Sequence, residues 1–455
     1  MSSPSPLFWP LDQLIRSYSH RDLSPVEVTT EALERIRIHD PVLGSYLTTT
    51  AELALEQARQ AEVAYADGTA SPLAGVPMSI KDLFDVEGTR TTYGSLAFQE
   101  RVAPADSGAV RRLRLAGAVF LGKTNTAEFG QSATTENLLG PPARNPWDPE
   151  RTAGGSSGGA AASVGAGLAL AALGSDGGGS TRIPAAFCGL FGLKPSSGLC
   201  PDEGGFTGMK EFAVPGPITR RVSDARPLLA ALAGRSYQRS PAPRGLRVCW
   251  CPTLEGRPVD PGLAAAVEAA VGIMGRTGQR VVRAEAPVEG WIDIFRVLVL
   301  AEEWAKRRRL LEPGQPAITD YEERTLLAGS RITEAEVAAA SAALAAYRER
   351  FRGFLRDWDL MVTPSTAVPA FPVGQRPELI AGIPVSWLWG AFPFTPAFNV
   401  AGVAAATVPC GLVEGLPVGL QMVAAPGRED LLLDVCEEIE EALRFDPAAL
   451  AETWL

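Results

Sequence analysis

Two observations predict an α/β fold for this chain. Short apolar runs of strand length recur along it and alternate with segments of helical periodicity, as expected of strands and helices packed in layers. With 455 residues, 46% of them hydrophobic and 21% charged, the chain can bury a large core, and its composition is ordinary for a soluble globular enzyme. Length alone would allow two or three domains.

After an N-terminal segment of about residues 1–23, Ser24-Pro25-Val26-Glu27 opens a helix. Serine is the N-cap, proline fits the first turn, and the glutamate reaches back as a capping box. This helix is expected to end near residue 38, and a second to run from about 51 to 66. Strands are expected at 76–80 and 119–121, with a helix over 107–116 between them. Residues 158–167 read as a small-residue helix packed close to its neighbours, and 168–173 as a buried strand. Further strands are expected at 247–251, 360–363 and 404–409, and long helices at about 291–311, 333–357 and 429–443. The polar, proline-bearing stretch 235–244 reads as a connection within one domain. Residues 364–399, rich in proline and aromatics and weakly periodic, are expected to form loops over the site.

The net charge of −10 argues against a nucleic-acid surface, which needs a basic stripe. The run Lys306-Arg307-Arg308-Arg309 reads as a solvated stretch of helix. Met1-Ser2-Ser3-Pro4-Ser5-Pro6 has no basic region followed by an apolar one, so no secretory signal is expected. The most apolar stretch, residues 160–174, is alanine and glycine and too short to span a bilayer. Six cysteines are scattered along the chain. Cys249 and Cys251 fall in a strand-like segment and read as core thiols on a shared sheet face, not as metal ligands. A reducing cytoplasm is the expected compartment.

Two serine-centred glycine clusters dominate the chemistry: Gly154-Gly155-Ser156-Ser157-Gly158-Gly159 and Asp176-Gly177-Gly178-Gly179-Ser180-Thr181-Arg182. A serine hydrolase built on histidine must hold an imidazole against its nucleophile. The only two histidines, His20 and His39, lie near the N-terminus and away from any glycine-rich turn. Lysine is the alternative base, because a buried amine can lose its proton near neutral pH. Lys81 stands at the end of the apolar run Leu73-Ala74-Gly75-Val76-Pro77-Met78-Ser79-Ile80.

Two other motif matches fail on mechanism. Residues 117–124 fit the nucleotide-binding P-loop pattern, but the four residues between its glycines, Ala118-Val119-Phe120-Leu121, form a strand where a flexible phosphate-cradling turn is needed. Gly154-Gly155-Ser156-Ser157-Gly158 fits the nucleophile elbow, which requires an acid and then a histidine downstream. No histidine follows position 39.

Lys81, the Gly-Gly-Ser-Ser-Gly-Gly block and the stretch from Gly174 to Gly189 together resemble the amidase signature family. The spacings of 75 residues from Lys81 to Ser156 and 24 from Ser156 to Ser180 fit its Ser-cisSer-Lys triad. Gly122-Lys123-Thr124-Asn125, Gly189 to Pro195, Pro215-Gly216-Pro217 and Gly415 to Gln421 also match, so the resemblance covers nearly the whole chain. It implies one domain over 1–455: a large twisted mixed sheet with helices on both faces, and a catalytic signature core at 71–200. Small departures stand at Gly177, Thr181 and Ser196, where threonine, isoleucine and threonine are frequent.

The resemblance further implies Ser180 as nucleophile, Ser156 as proton relay across a cis Gly155–Ser156 bond, and Lys81 as base. Backbone amides of Gly177, Gly178, Gly179 and Ser180 would hold the oxyanion, and Ser157, Asp176 and Arg182 would support the loop. No metal or organic cofactor is required. The family holds hydrolases of amides, aryl acylamides, lactam oligomers, carbamates and ureas, and the amidotransferase subunit that feeds ammonia to glutamyl-tRNA. Trp387, Trp389, Phe392 and Phe394 are expected to line the substrate cleft, which favours an apolar group over free glutamine. The expected partner is a small amide-type substrate, with no direct binding to nucleic acid or membrane; a homodimer is allowed. The expected activity is an amidohydrolase, with a glutaminase subunit needing partner chains as the alternative.

Overall fold

A computed structural model describes residues 5–446 and 448–454. Eleven strands form one mixed sheet: β1 Tyr46–Thr49, β2 Pro77–Lys81, β3 Val119–Thr124, β4 Ala171–Asp176, β5 Phe191–Lys194, β6 Val214–Thr219, β7 Arg247–Trp250, β8 Arg280–Arg283, β9 Leu360–Pro364, β10 Ala404–Val413 and β11 Leu416–Ala424. Across the sheet their order is β1-β3-β2-β4-β6-β5-β10-β11-β9-β7-β8. The trios β3-β2-β4 and β9-β7-β8 are parallel, and the remaining neighbours are antiparallel.

Both faces of the sheet are buried. Leu360, Val362, Ala404, Ala406 and Met422 join one core, while the alternating Met361, Ala405 and Val423 join another. That alternation follows from the two-residue period of a strand. Strands buried on both faces read as continuous apolar runs, which is why they are visible in the sequence. Helices Pro261–Arg276 and Glu429–Leu443 pack on one face, and Trp291–Arg307 and Glu334–Phe354 on the other.

Helix Pro25–Leu43 begins with the expected capping box at Ser24 and Glu27. It continues past Pro41 and ends at Gly44, whose positive φ of 58° provides the left-handed cap; a proline near the last turn is tolerated there. The strand expected at 168–173 is displaced to β4, Ala171–Asp176. Leu168 and Ala169 instead turn back, both donating to the Ser163 carbonyl. Apolarity alone does not separate such a turn from the strand that follows. β6 is a central strand that carries Pro215 and Pro217, residues that count against a strand in sequence. Its β5 partner pairs only at Thr219 and Ile218, so both prolines lie beyond the last β5 pair. The long helix expected over 291–311 ends at Arg307 and tightens to a 3₁₀ turn over Arg308–Leu311. Arg307 is buried, not solvated as its basic run suggests.

Cys249 and Cys251 are both buried, with sulfurs 3.5 Å apart. Among the described residues, no helix is long and apolar enough to cross a membrane.

Candidate active site

β2 and β4 are parallel neighbours, with Ile80 opposite Leu173. Their C-terminal ends therefore lie side by side, and each ends on a polar residue that is fully buried, Lys81 and Asp176. Ser156 and Ser157 lead into the small-residue helix Gly158–Gly165, which packs on both strands. Lys81 Nζ donates to Ser156 Oγ at 2.7 Å and to Ser175 Oγ at 2.9 Å. The Gly155–Ser156 peptide bond is cis. Position 155 has room only for glycine: a Cβ there would lie 2.5 Å from the backbone of Thr134. Burial pushes the Lys81 amine down to about 7, against the opposing pull of Asp176. Ser175 lies within the matching stretch Gly174 to Gly189, but no role for it is marked there. The signal for it is strand register, which becomes visible only once β2 and β4 are paired.

The loop from Gly177 to Thr181 joins β4 to helix Arg182–Phe187. Asp176 organises it from beneath. Its carboxylate accepts from Gly179 N at 2.7 Å, from Arg182 Nε and Nη2 at 2.9 and 2.8 Å, and from Asn399 Nδ2 at 2.9 Å. Burial, the largest single influence, would raise this carboxyl, but Arg182 together with Lys194 and Asn399 holds it well below the usual range. Arg182, itself fully buried, also donates to Gln421 and Asn399 side-chain oxygens, each at 2.6 Å. Ser157 ties the two clusters together: its N–H donates to the Ser180 carbonyl at 3.2 Å, and its Oγ to the Ser175 carbonyl at 3.3 Å. Lys194, a second fully buried lysine near this network, is pushed to about 7 by burial and by Arg182. Its Nζ donates to the carbonyls of Pro195 and Val403.

The four-amide oxyanion site needs one correction. The Gly179 N–H is committed to the Asp176 carboxylate. Among the described residues, the N–H groups of Gly177, Gly178 and Ser180 meet no acceptor. Gly179 serves the loop differently, through its φ of 124°, a conformation that side chains rarely adopt.

Ser156, Ser175, Gly177 and Ser180 open on a cleft of about 290 Å³. Its walls are Leu83, Phe84, Phe129, Phe206 and Met209, with Asp202 and Lys210 also on its lining. The expectation that Trp387, Trp389, Phe392 and Phe394 line this cleft is corrected. Phe392 and Phe394 are wholly buried, Phe392 against Phe187 and Phe371. Trp387 is half exposed and lies against Tyr321 and Arg376. Trp389 packs on Trp291 and Phe295, with a ring carbon 3.6 Å from where a Cβ on Gly178 would stand. No residue of 364–399 lines the cleft. That stretch braces the back of the loop instead, where Thr395 Oγ1 donates to the Gly178 carbonyl at 2.8 Å. The true aromatic walls, Phe129 and Phe206, sit in segments whose sequence shows no periodicity to mark them.

A sheet of this order does not by itself fix a chemistry; comparison with known proteins gives the class, a hydrolase acting on C–N bonds. Residues 27–433 match the family model described as Amidase, and the chain belongs to the amidase signature family. It is 35% identical over 467 residues to one of the subunits of glutamyl-tRNA(Gln) amidotransferase from Moorella thermoacetica, covering 94% of this chain and 95% of that one. Among solved structures it is similar to an amidase, with TM-score 0.89 and 32% identity over 95% of this chain and 99% of that one. It is also similar to a bacterial aryl acylamidase, with TM-score 0.88 and 26% identity over 97% and 99%.

Proposed function

We propose that this amidohydrolase works through Ser180, Ser156 and Lys81, and that it cleaves amides carrying an apolar or aryl group without partner chains. The observation that carries the reading is the buried Lys81 amine, 2.7 Å from the Oγ of Ser156, a residue that lines an apolar cleft together with Ser180. Above about pH 7 the amine is largely neutral, and its lone pair can take the Ser156 proton across that same distance. Ser156 in turn takes the proton of Ser180 as its Oγ bonds to the carbonyl carbon. The oxyanion that forms accepts from the amides of Gly177, Gly178 and Ser180, each such donor contributing about 3–4 kcal/mol to the barrier reduction. Ser156 then returns the proton to the leaving nitrogen as the C–N bond breaks. Water hydrolyses the acyl-enzyme by the same relay in reverse.

The second reading, a glutaminase subunit of a tRNA-dependent amidotransferase, is the one the sequence relatives support better, since the Moorella protein, 35% identical over nearly the whole of both chains, is a subunit of such an enzyme. Free glutamine is a zwitterion, and burying its two charges without partners is costly. The charged residues on the cleft lining are Asp202 and Lys210. Asp202 already accepts the Ala109 N–H at 2.8 Å, and Lys210 is exposed. That lining favours the first reading. The test is purified chain alone, given glutamine and an acyl anilide in parallel, with ammonia and aniline both measured. Aniline release at the higher kcat/KM is expected. Ammonia release from glutamine at the higher kcat/KM, or activity that appears only when partner chains are added, would overturn the proposal in favour of the second reading.

A further inference from the structure

We propose that Met209 is a specificity-determining residue: its side chain sets the width of the cleft beside the nucleophile loop and so limits the apolar group a substrate can place there. The proposal rests on the reading of Ser180 and its loop given above. Met209 lines the cleft together with Gly177 and Ser180. A Cβ at Gly177 would lie 2.5 Å from Met209 Sδ, and 3.4 and 3.5 Å from its Cβ and Cγ. Gly177 does not have the positive φ that Gly179 has. Its lack of a side chain therefore answers to space, and the atom that fills this space is the Met209 sulfur. The Gly177 N–H is one of the three left without an acceptor, so the thioether stands next to where a substrate carbonyl oxygen would be held.

A methionine side chain is flexible and would by itself make a soft wall. The backbone under Met209 is not free to follow. Met209 has a φ of 50°, a left-handed conformation uncommon outside glycine. Its carbonyl accepts from both Phe212 N and Ala213 N at 2.8 Å. On either side the segment is fastened to helix Trp291–Arg307. Lys306 Nζ and Arg307 Nη2 each donate to the Thr207 carbonyl at 3.2 Å, and Glu302 accepts from Lys210 N at 2.9 Å. The buried Arg307 guanidinium also lies 4.5 and 4.9 Å from the ring centres of Phe129 and Phe206, joining the methionine wall to the aromatic one.

The experiment compares wild type, Met209→Ala, Met209→Leu and Met209→Phe on two substrate series, anilides of increasing acyl length and acetamides of increasingly bulky amines. Each protein is first titrated with a sulfonyl fluoride to count reactive Ser180. Met209→Ala should raise kcat/KM for the bulkiest members of one series on the order of 10-fold relative to the smallest, the scale on which a methylene or two discriminates in an apolar pocket. The change should appear mainly in KM. Met209→Phe should narrow the range, and Met209→Leu should keep the wild-type profile. Gly177→Ala should lose activity that Met209→Ala in the same chain restores in part. Unchanged profiles in both series, or no restoration in the double variant, with Ser180 still labelled, would overturn the role of Met209. Absence of Ser180 labelling in wild type would instead strike at the nucleophile reading beneath it.

Discussion

A lysine amine in water keeps its proton to about pH 10.5, whereas Lys81 is held at about 7. Moving it that far takes differential solvation on the order of 5 kcal/mol, and burial at the end of β2 supplies it. The sign of the consequence is fixed: protonated Lys81 cannot serve as base, so activity should be low below about pH 7. The rate should rise with one proton's slope through that value and level off above. Lys81→Ala should remove both the rise and nearly all of the rate, for esters as well as amides. An ester's leaving group needs less protonation than an amine, so Ser156→Ala should spare esters relative to amides more than Lys81→Ala does. Lys194 is also held near 7, but it bonds carbonyls outside the cleft. A pH rise that persists in Lys194→Met and vanishes in Lys81→Ala assigns the titration; a rise unchanged in Lys81→Ala would make that lysine structural.

The loop after β4, which the proposal makes the nucleophile loop, is held by Asp176 and Arg182, both without exposed surface. Removing one partner of a buried pair leaves an uncompensated charge, at about 3–5 kcal/mol. Arg182→Leu should therefore lower the stability by that order and abolish activity, measured by urea unfolding with the activity assay alongside. Unchanged stability would mean that the pair does not organise the loop. This element also shows how far sequence reaches. The placement of the glycines at a turn and of Lys81 at a strand end is legible because each residue type is needed locally. The commitment of Gly179 N–H to Asp176, the contact of Lys81 with Ser175, and the bracing of Gly178 by Thr395 depend on strands distant in sequence. The Trp387 to Phe394 cluster misleads for the same reason: aromatic density marks burial but not which cavity it faces. Pro215 and Pro217 hide a central strand, because proline's usual penalty is removed by a short neighbour.

Across the whole molecule, the sheet order is what makes a site from positions so far apart. The β3-β2-β4 trio aligns its strand ends, and the parallel pairing of β2 with β4 sets Lys81 beside the start of the Gly177–Thr181 loop. Covering both faces with helices excludes water from that edge, and this is the condition for a neutral lysine. The acidic net charge of −10 and the apolar cleft agree with a small uncharged substrate better than with a polyanion. The proposal that rests on this arrangement is Ser180 as the nucleophile, activated through Ser156 by neutral Lys81. The decisive observable is the pH dependence of the rate at which a fluorophosphonate labels the chain, read by peptide mapping. Label is expected on Ser180, at a rate rising through about pH 7 in wild type and flat and low in Lys81→Ala. Label on another residue, or a pH profile that survives loss of Lys81, would contradict that assignment.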